Sequence, residues 1–306
     1  MSTLYCILLL SKIMKIIVGM PAFNEEKNIA PLILKIQEFG YKVLVCDDAS
    51  TDSTTLIAKK LGATVIQHSK NIGYGATIQS LFSKAKELNA DVLVTIDADG
   101  QHDFRDIKKI LVPIMEQKAN LVIGSRFLEK KSDIPKYREL GIKALTKITN
   151  TAQETSISDS QSGFRAYDKT TLNQINPTEE GMGISTEILL KASDAKLKIF
   201  EVPIIVSYEG DTSTHNATSH GLSVLSTTIK IISIKHPMSF YGIPGLLFFA
   251  LGLIFTVLTL STFSETRTIV TNQALLAIGS IVVGLVLIMT SVILTSVISV
   301  IRERKN

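Results

Sequence analysis

Two long stretches of this 306-residue chain carry no charged residue. The first is FYGIPGLLFFALGLIFTVLTLSTF, from Phe240 to Phe263, and the second is ALLAIGSIVVGLVLIMTSVILTSVISV, from Ala274 to Val300. About 20 apolar residues, rising about 1.5 Å each, cross roughly 30 Å of hydrocarbon. Both stretches meet that length. Core helices of soluble proteins rarely run so far without a polar face. The pair therefore predicts a transmembrane hairpin, with spans at about 240–263 and 274–300. Lys230 and Lys235 precede the first span, and Arg302, Arg304 and Lys305 follow the second. The connecting loop holds Arg267, offset by Glu265. Positive residues stay on the cytoplasmic side, so both flanks and the large N-terminal domain are expected there.

The remaining sequence reads as a globular chain. A net charge of +4 gives no reason to expect nucleic acid. Cys6 and Cys46 are too few for a disulfide framework, and Cys46 ends an apolar run, as a buried thiol would. The start MSTLYCILLLSKIMKIIVGM has an apolar run of only seven residues, Leu4 to Leu10. It lacks a basic leader and a small-residue cleavage site, so it does not read as a signal peptide. Met14 is an alternative start, and residues 1–14 are set apart as an extension.

From residue 15 onward, strand and helix patterns alternate. KIIVGM, YKVLVCDD, ATVIQH, ADVLVTID and NLVIGSR read as strands. Between them EEKNIAPLILKIQEFG, STDSTTLIAKKLG, YGATIQSLFSKAKELN and FRDIKKILVPIMEQK read as helices, the last with Pro113 as a kink. Short connections between alternating elements imply a mostly parallel sheet with helices on both faces. Ligands of such sheets bind beyond the carboxyl ends of the strands. The polar clusters PAFNEE, DDASTDS, DADGQHD and GSR fall there. FLEKKSDIPKYREL reads as a charged connection, SDSQSGFRAY as a polar loop, and KIFEVPIIVSY as a further strand whose Pro203 suggests a sheet edge. The catalytic domain is expected to span 15–212. A juxtamembrane loop and amphipathic helix (213–239) would follow, with Leu222, Leu225, Ile229 and Ile232 on one face. The spans occupy 240–301, and 302–306 form a basic tail.

The segment VTIDADGQHD holds three aspartates. Asp97 and Asp99 end a strand two positions apart. Together they offer hard oxygen ligands suited to Mg²⁺ or Mn²⁺ that also holds phosphate oxygens. Asp103 precedes the next helix and reads as its N-cap, with Asp106 three residues on. His102 reads as a structural hydrogen-bonding residue. Asp47 and Asp48 end the second strand, where a carboxylate can meet a base or ribose. Ser50 or Asp52 would cap the helix that follows. Gly73 and Gly75 open a helix after a strand. Ile78 stands where a third glycine would complete a dinucleotide fingerprint, so a redox site is disfavoured, though close approach to a diphosphate is kept as an expectation. His215 and His220 read as residues of a solvated loop.

PAFNEEKNI, VCDDASTDST, NIGYGAT, DADGQH, GSRF and SGFRAY appear in an order and spacing that resembles family 2 glycosyltransferases of the GT-A fold. Within that family they resemble the dolichyl-phosphate and polyprenyl-phosphate sugar synthases, over roughly residues 15–210 and the membrane tail. The resemblance implies that Pro21, Ala22, Asn24 and Glu25 line the nucleotide pocket and that Asp47 or Asp48 contacts the base. It implies that Asp97 and Asp99, with Gln101 beside them, bind a divalent metal and the donor diphosphate. Gly73 and Gly75 join the donor site. Arg126 and Arg138 would face the acceptor phosphate, with Asp159, Ser162 and Gly163 shaping the sugar and acceptor site and Arg165 adding charge. Members that use GDP-mannose usually carry a basic residue after the EVP strand. Here the region reads SYEGDTSTHN, which favours a UDP-sugar such as glucose or N-acetylglucosamine over mannose. Asp159 and Glu187 are the nearest candidates for a base. The implied reaction is inverting transfer from a nucleotide-sugar to a polyprenyl phosphate. Transfer to another lipid, such as diacylglycerol or a lipid-linked saccharide, and a non-catalytic nucleotide-sugar-binding membrane module are the alternatives.

Overall fold

The structure, a computed structural model, describes residues 14–129, 136–153, 156–206, 226, 229, 233 and 236–303. It forms two compact units, residues 1–228 and 229–306. The first is built on seven strands: β1 (Ile16–Ala22), β2 (Lys42–Asp47), β3 (Thr64–Gln67), β4 (Val92–Thr95), β5 (Leu121–Ser125), β6 (Arg165–Asp168) and β7 (Ile199–Pro203). Its described helices are α1 (Ile29–Glu38), α2 (Thr54–Lys60), α3 (Tyr74–Glu87), α4 (Asp106–Met115), α5 (Lys136–Gln153), α6 (Lys169–Gln174) and α7 (Ile184–Asp194).

The strand order is β3-β2-β1-β4-β6-β5-β7. All neighbours are parallel except β6, which runs antiparallel between β4 and β5. Alternate residues of β1 feed opposite faces. Ile16, Val18 and Met20 pack with Ile29, Ile33 and Ile36 of α1 and Ile107 and Ile110 of α4. Ile17 packs with Leu81 and Phe82 of α3 and Ile188 and Leu189 of α7. Both faces are covered, so the strands can be apolar throughout. The order steps outward from β1 in one direction and from β4 in the other. That reversal opens a crevice at the carboxyl ends of β1 and β4, the usual ligand position of an open α/β sheet.

Pro21 lies inside β1, where a sheet interior would normally exclude it. Ile96 N–H donates to the Gly19 carbonyl as the final rung toward β4. Pro21 is the next residue on that side and lies past the rung, so no ladder bond is lost. Pro203 closes β7 at the sheet edge, as its sequence predicts. Asp103 accepts the backbone N–H of Arg105 and an ion pair from its guanidinium. Its carbonyl accepts the N–H of Asp106 at the start of α4. It therefore holds the turn leading into α4, while Asp106 pairs with Lys109 at 2.7 Å rather than reaching back as a capping box would.

In the second unit, a short π-helical turn (Met238–Gly242) leads into α8 (Ile243–Thr266), and α9 (Thr271–Glu303) returns antiparallel to it. Only 11% of each apolar window is buried, which is not the burial of a soluble core helix. A Cβ on Gly252 would stand 2.8 Å from Ile281 N, so the two backbones touch along a small-residue seam. Thr256, Thr259, Thr262, Thr290 and Thr295 return their hydroxyls to the carbonyl one turn back. These two helices are long and apolar enough to cross a membrane. Residues 1–13, most of the expected 213–239 segment, and His215 and His220 lie outside the described residues.

Candidate active site

The carboxyl ends of β1 and β2 carry two loops that bind each other. Asn24 N–H donates to Ser50 Oγ at 2.8 Å, and Asn24 Oδ1 accepts Thr51 N–H at 2.8 Å. Glu25 N–H donates to Thr54 Oγ1, Glu26 N–H to Asp52, and Ser53 N–H returns to the Glu26 carboxylate. Asn24 and Ala49 sit at φ of 56° and 61°. Ala49 lacks the polar group with which Asn eases that region, and its Cβ costs roughly 1–2 kcal/mol there. The interlock holds both residues in place. Pro21 and Ala22 are buried at the base of this wall.

Asp47 and Asp48 are both buried and already hold protein donors at the ends of β2. Asp47 is fully buried and accepts the N–H and hydroxyl of Ser50. Asp48 accepts His68 Nδ1 at 2.7 Å, Ile72 N–H at 3.1 Å and Gly73 N–H at 2.8 Å. The pair fixes the two turns that border the crevice. Sequence reasoning missed His68 here, because its partners lie 12–22 residues away.

Gly73 and Gly75 pack against a neighbouring backbone segment. Ala76 N–H, at the start of α3, donates to Glu180 O at 3.2 Å. A Cβ at Gly75 would stand 2.2 Å from Glu179 O. The glycines admit the close approach of the 179–181 backbone.

Asp97 and Asp99 do meet at the crevice. The chain leaves β4 after Thr95, so Asp97 is half-buried at its mouth. Tyr74 Oη donates to Asp97 Oδ1 at 3.2 Å, and His102 Nε2 lies 3.7 Å from Oδ2. Burial works to raise the Asp97 carboxyl. His102, Tyr74 and the charge of Arg126 outweigh it and hold Asp97 below the usual range. Asp99 goes the other way, pushed up to about 6 by burial and by the charge of Asp97, with Glu25 adding to the effect. Glu25 is itself raised by burial and by Asp52 and Asp97. Gln101 N–H donates to Asp99 Oδ1 at 3.0 Å.

Such a donor set fits a divalent cation. Burial and the neighbouring charge of Asp97 both push the Asp99 carboxyl up, and a bound cation would offset both. Among the described residues no group of three or more His, Cys, Asp or Glu side chains forms a closed metal site. The remaining ligands would come from water and phosphate, as with Mg²⁺.

The 158–164 loop covers this crevice because β6 is antiparallel, so its entry lies at the carboxyl ends of β4 and β5. A Cβ on Gly163 would stand 2.9 Å from Asp97 Oδ2 and 2.7 Å from Tyr74 Oη. Only glycine lets this loop lie against the carboxylate. Thr95 Oγ1 anchors it through Gly163 O at 2.7 Å.

Arg126 follows β5. Its Nε and Nη2 form a fork with the two oxygens of Asp159, at 2.7 and 2.8 Å. Asp159 is fully buried and so acts as the holder of Arg126. Glu187, the other candidate base, accepts Thr178 and Glu179 N–H groups and pairs with Lys191 at 2.7 Å. Burial works to raise its carboxyl, but these partners bring it below the usual value.

Arg165 does not fit the acceptor-phosphate role. It is 1% exposed, and its guanidinium donates to the carbonyls of Ser162, Ser185 and Ser160. Ser162 is buried too, with its hydroxyl accepting Phe164 N–H. Both brace the loop from beneath. The side chain of Arg138, on α5, lies outside the described residues. Sequence reasoning missed Tyr74 and Glu201 as site residues. The only signals were their places in NIGYGAT and EVP.

A doubly covered, mostly parallel sheet with an aspartate pair beyond the strand at its switch point is the arrangement of GT-A glycosyltransferases. Residues 17–175 match the model of glycosyl transferase family 2. The chain belongs to that family and is a glycosyltransferase. It is 34% identical over 210 residues to the UDP-N-acetylglucosamine–dolichyl-phosphate N-acetylglucosaminyltransferase of Methanococcus voltae, covering 61% of this chain and 84% of that protein. It is 32% identical over 202 residues to the dolichol-phosphate mannosyltransferase of Pyrococcus furiosus, covering 62% of this chain and 56% of that protein. The fold is shared with glucosyl-3-phosphoglycerate synthase from Mycobacterium tuberculosis, solved with Mn²⁺, UDP-glucose and phosphoglyceric acid. That likeness has a TM-score of 0.61 at 20% identity and covers 76% of this chain and 84% of that one.

Proposed function

We propose that the protein moves a sugar from a nucleotide-sugar, with inversion, onto dolichyl or another polyprenyl phosphate at the cytoplasmic membrane face. Glucose and N-acetylglucosamine are the favoured sugars, and mannose is the lesser choice. The observation that carries this reading is the pairing state of the candidate bases. Asp159 is clasped by Arg126, and Glu187 is occupied by the 178–179 backbone and Lys191. A hydroxyl acceptor needs a base to take its proton. A phosphate monoester, with its second pKa about 6, is mostly dianionic at neutral pH and needs none. What it needs is a guanidinium to orient it, and Arg126 stands close enough to Asp97 for its charge to be felt there.

Asp97 and Asp99 would hold Mg²⁺ or Mn²⁺, with Gln101 beside them. When bound, the ion supplies charge neutralisation for the departing diphosphate. Tyr74 and Gly163 fix Asp97 for that task. The interlocked 24–26 and 50–54 loops would form the nucleotide wall. The domain boundaries at 15–212, 213–239 and 240–301 belong to the same proposal. So does the cytoplasmic placement of both termini.

Membranes containing the protein are to be incubated with labelled UDP-glucose, UDP-N-acetylglucosamine or GDP-mannose, with and without dolichyl phosphate, Mn²⁺ and chelator. The expected result is a chelator-sensitive labelled lipid released by mild acid, strongest with one of the UDP-sugars. A labelled lipid that survives mild acid would point to a diacylglycerol acceptor. Binding without turnover would point to a silent module.

A further inference from the structure

β7 places a carboxylate where the sugar-transfer chemistry has no direct use for it. Glu201 stands opposite Ile123 in the β5–β7 register. Its Oε2 accepts Ser158 N–H at 2.8 Å. Its Oε1 accepts Ser158 Oγ at 3.0 Å and Asp159 N–H at 3.1 Å. One side chain therefore takes three donors from two consecutive residues. Ser158 Oγ also lies 2.6 Å from Ser125 Oγ, the last residue of β5. Arg126 comes next in the chain, and its guanidinium is gripped by Asp159.

Arg126 is thus approached from two directions that share one anchor. Its main chain continues from Ser125, which is tied to Ser158. Its side chain is tied to Asp159. Ser158 and Asp159 are both fixed by Glu201. Backbone donors to a charged oxygen are among the stronger hydrogen bonds. A turn fixed this way gives its side chain little freedom, and a shift of about 1 Å in such a positioning element can cost about a hundredfold in rate.

We propose that Glu201 is a positioning residue for sugar transfer: through the 158–159 turn it sets the guanidinium of Arg126 and so governs capture of the acceptor phosphate. The inference rests on the acceptor reading given above. It leaves the donor side untouched, because Glu201 bonds to neither the 24–26 loop nor Asp97 and Asp99 in any contact described.

Steady-state kinetics on the full-length protein in membranes tests it, with UDP-sugar and dolichyl phosphate varied separately. In Glu201→Ala the acceptor KM is expected to rise about tenfold, while the donor KM stays within about twofold. Glu201→Gln keeps one acceptor oxygen and should give an intermediate rise. It also serves if the alanine variant fails to fold. The Arg126→Ala/Glu201→Ala double variant should match Arg126→Ala alone in acceptor KM within about twofold, because residues acting through one another are not additive. Equal rises in donor and acceptor KM, or additive losses in the double variant, would overturn the positioning role. Wild-type transfer to dolichyl phosphate with an unchanged acceptor KM in both Glu201 variants overturns this inference alone. Absence of wild-type transfer to any polyprenyl phosphate overturns the acceptor reading, and this inference with it.

Discussion

Sugar transfer by Asp99→Ala is expected to fall by about a thousandfold, with the melting temperature unchanged or slightly higher. The two parts of that expectation have different causes. Asp99 sits beside Asp97 with its carboxyl pushed up to about 6. Removing it relieves the burial of a charge and its repulsion with Asp97, which offsets the lost bond from Gln101 N–H. Catalysis would lose the proposed ligand of a cation that, when bound, would offset charge on the leaving diphosphate. Such stabilisation amounts to several kcal/mol, and about 1.4 kcal/mol is tenfold in rate. Binding provides a readout apart from turnover. Calorimetry of UDP with the wild type should show tighter binding when Mn²⁺ is present, and the variant should lose most of that difference. Wild-type turnover, or an unchanged Mn²⁺ dependence of UDP binding, would remove Asp99 from the metal site.

Gly75→Ala should lower the melting temperature by about 2–12 °C. The new Cβ would stand 2.2 Å from Glu179 O, 2.5 Å from the Glu180 carbonyl carbon and 2.5 Å from Gly181 O. All three are backbone atoms and cannot swing aside. Overpacking of this kind costs about 1–3 kcal/mol, and each kcal/mol lowers the melting temperature by about 2–4 °C in a domain this size. The displaced loop also carries bonds from Ala76 N–H and Gln79 Nε2. Tyr74, one residue away, holds Asp97, so transfer should weaken as well. Gly141→Ala is the control. Nothing lies within 4 Å of its Cβ and it sits inside α5, where alanine is the better helix former. Equal melting temperatures for the two variants would contradict the packing described at Gly75.

The sheet from β1 to β5 was legible because each strand is an apolar run bounded by polar turns, and each helix shows its spacing. β6 was not. It has four residues, RAYD, and two of them are charged. It becomes a strand because β4 and β5 supply bonds on both sides, a tertiary cause that no local pattern announces. Short α6 and mixed-polarity α5 and α7 escaped the reading of 127–197 in the same way. The site was legible where spacing sets chemistry, as at Asp97 and Asp99. It was illegible where distant segments decide what a carboxylate does. Asp48 shows nothing in sequence of the His68 ring and the 72–73 backbone that it also holds. Arg165 looks like a phosphate ligand until three carbonyls account for it. Glu201 showed only its place in EVP, because its partners lie 42 and 43 residues earlier.

The central claim is that the nucleophile is a lipid phosphate and that attack inverts the anomeric carbon. Phosphorus and proton NMR of the purified lipid product tests it most directly. UDP-glucose and UDP-N-acetylglucosamine carry an α linkage. The expected product has a single phosphate joining the lipid to C1 of the sugar in the β configuration. An α linkage, a diphosphate, or a product in which the sugar is bound to a lipid hydroxyl would contradict it.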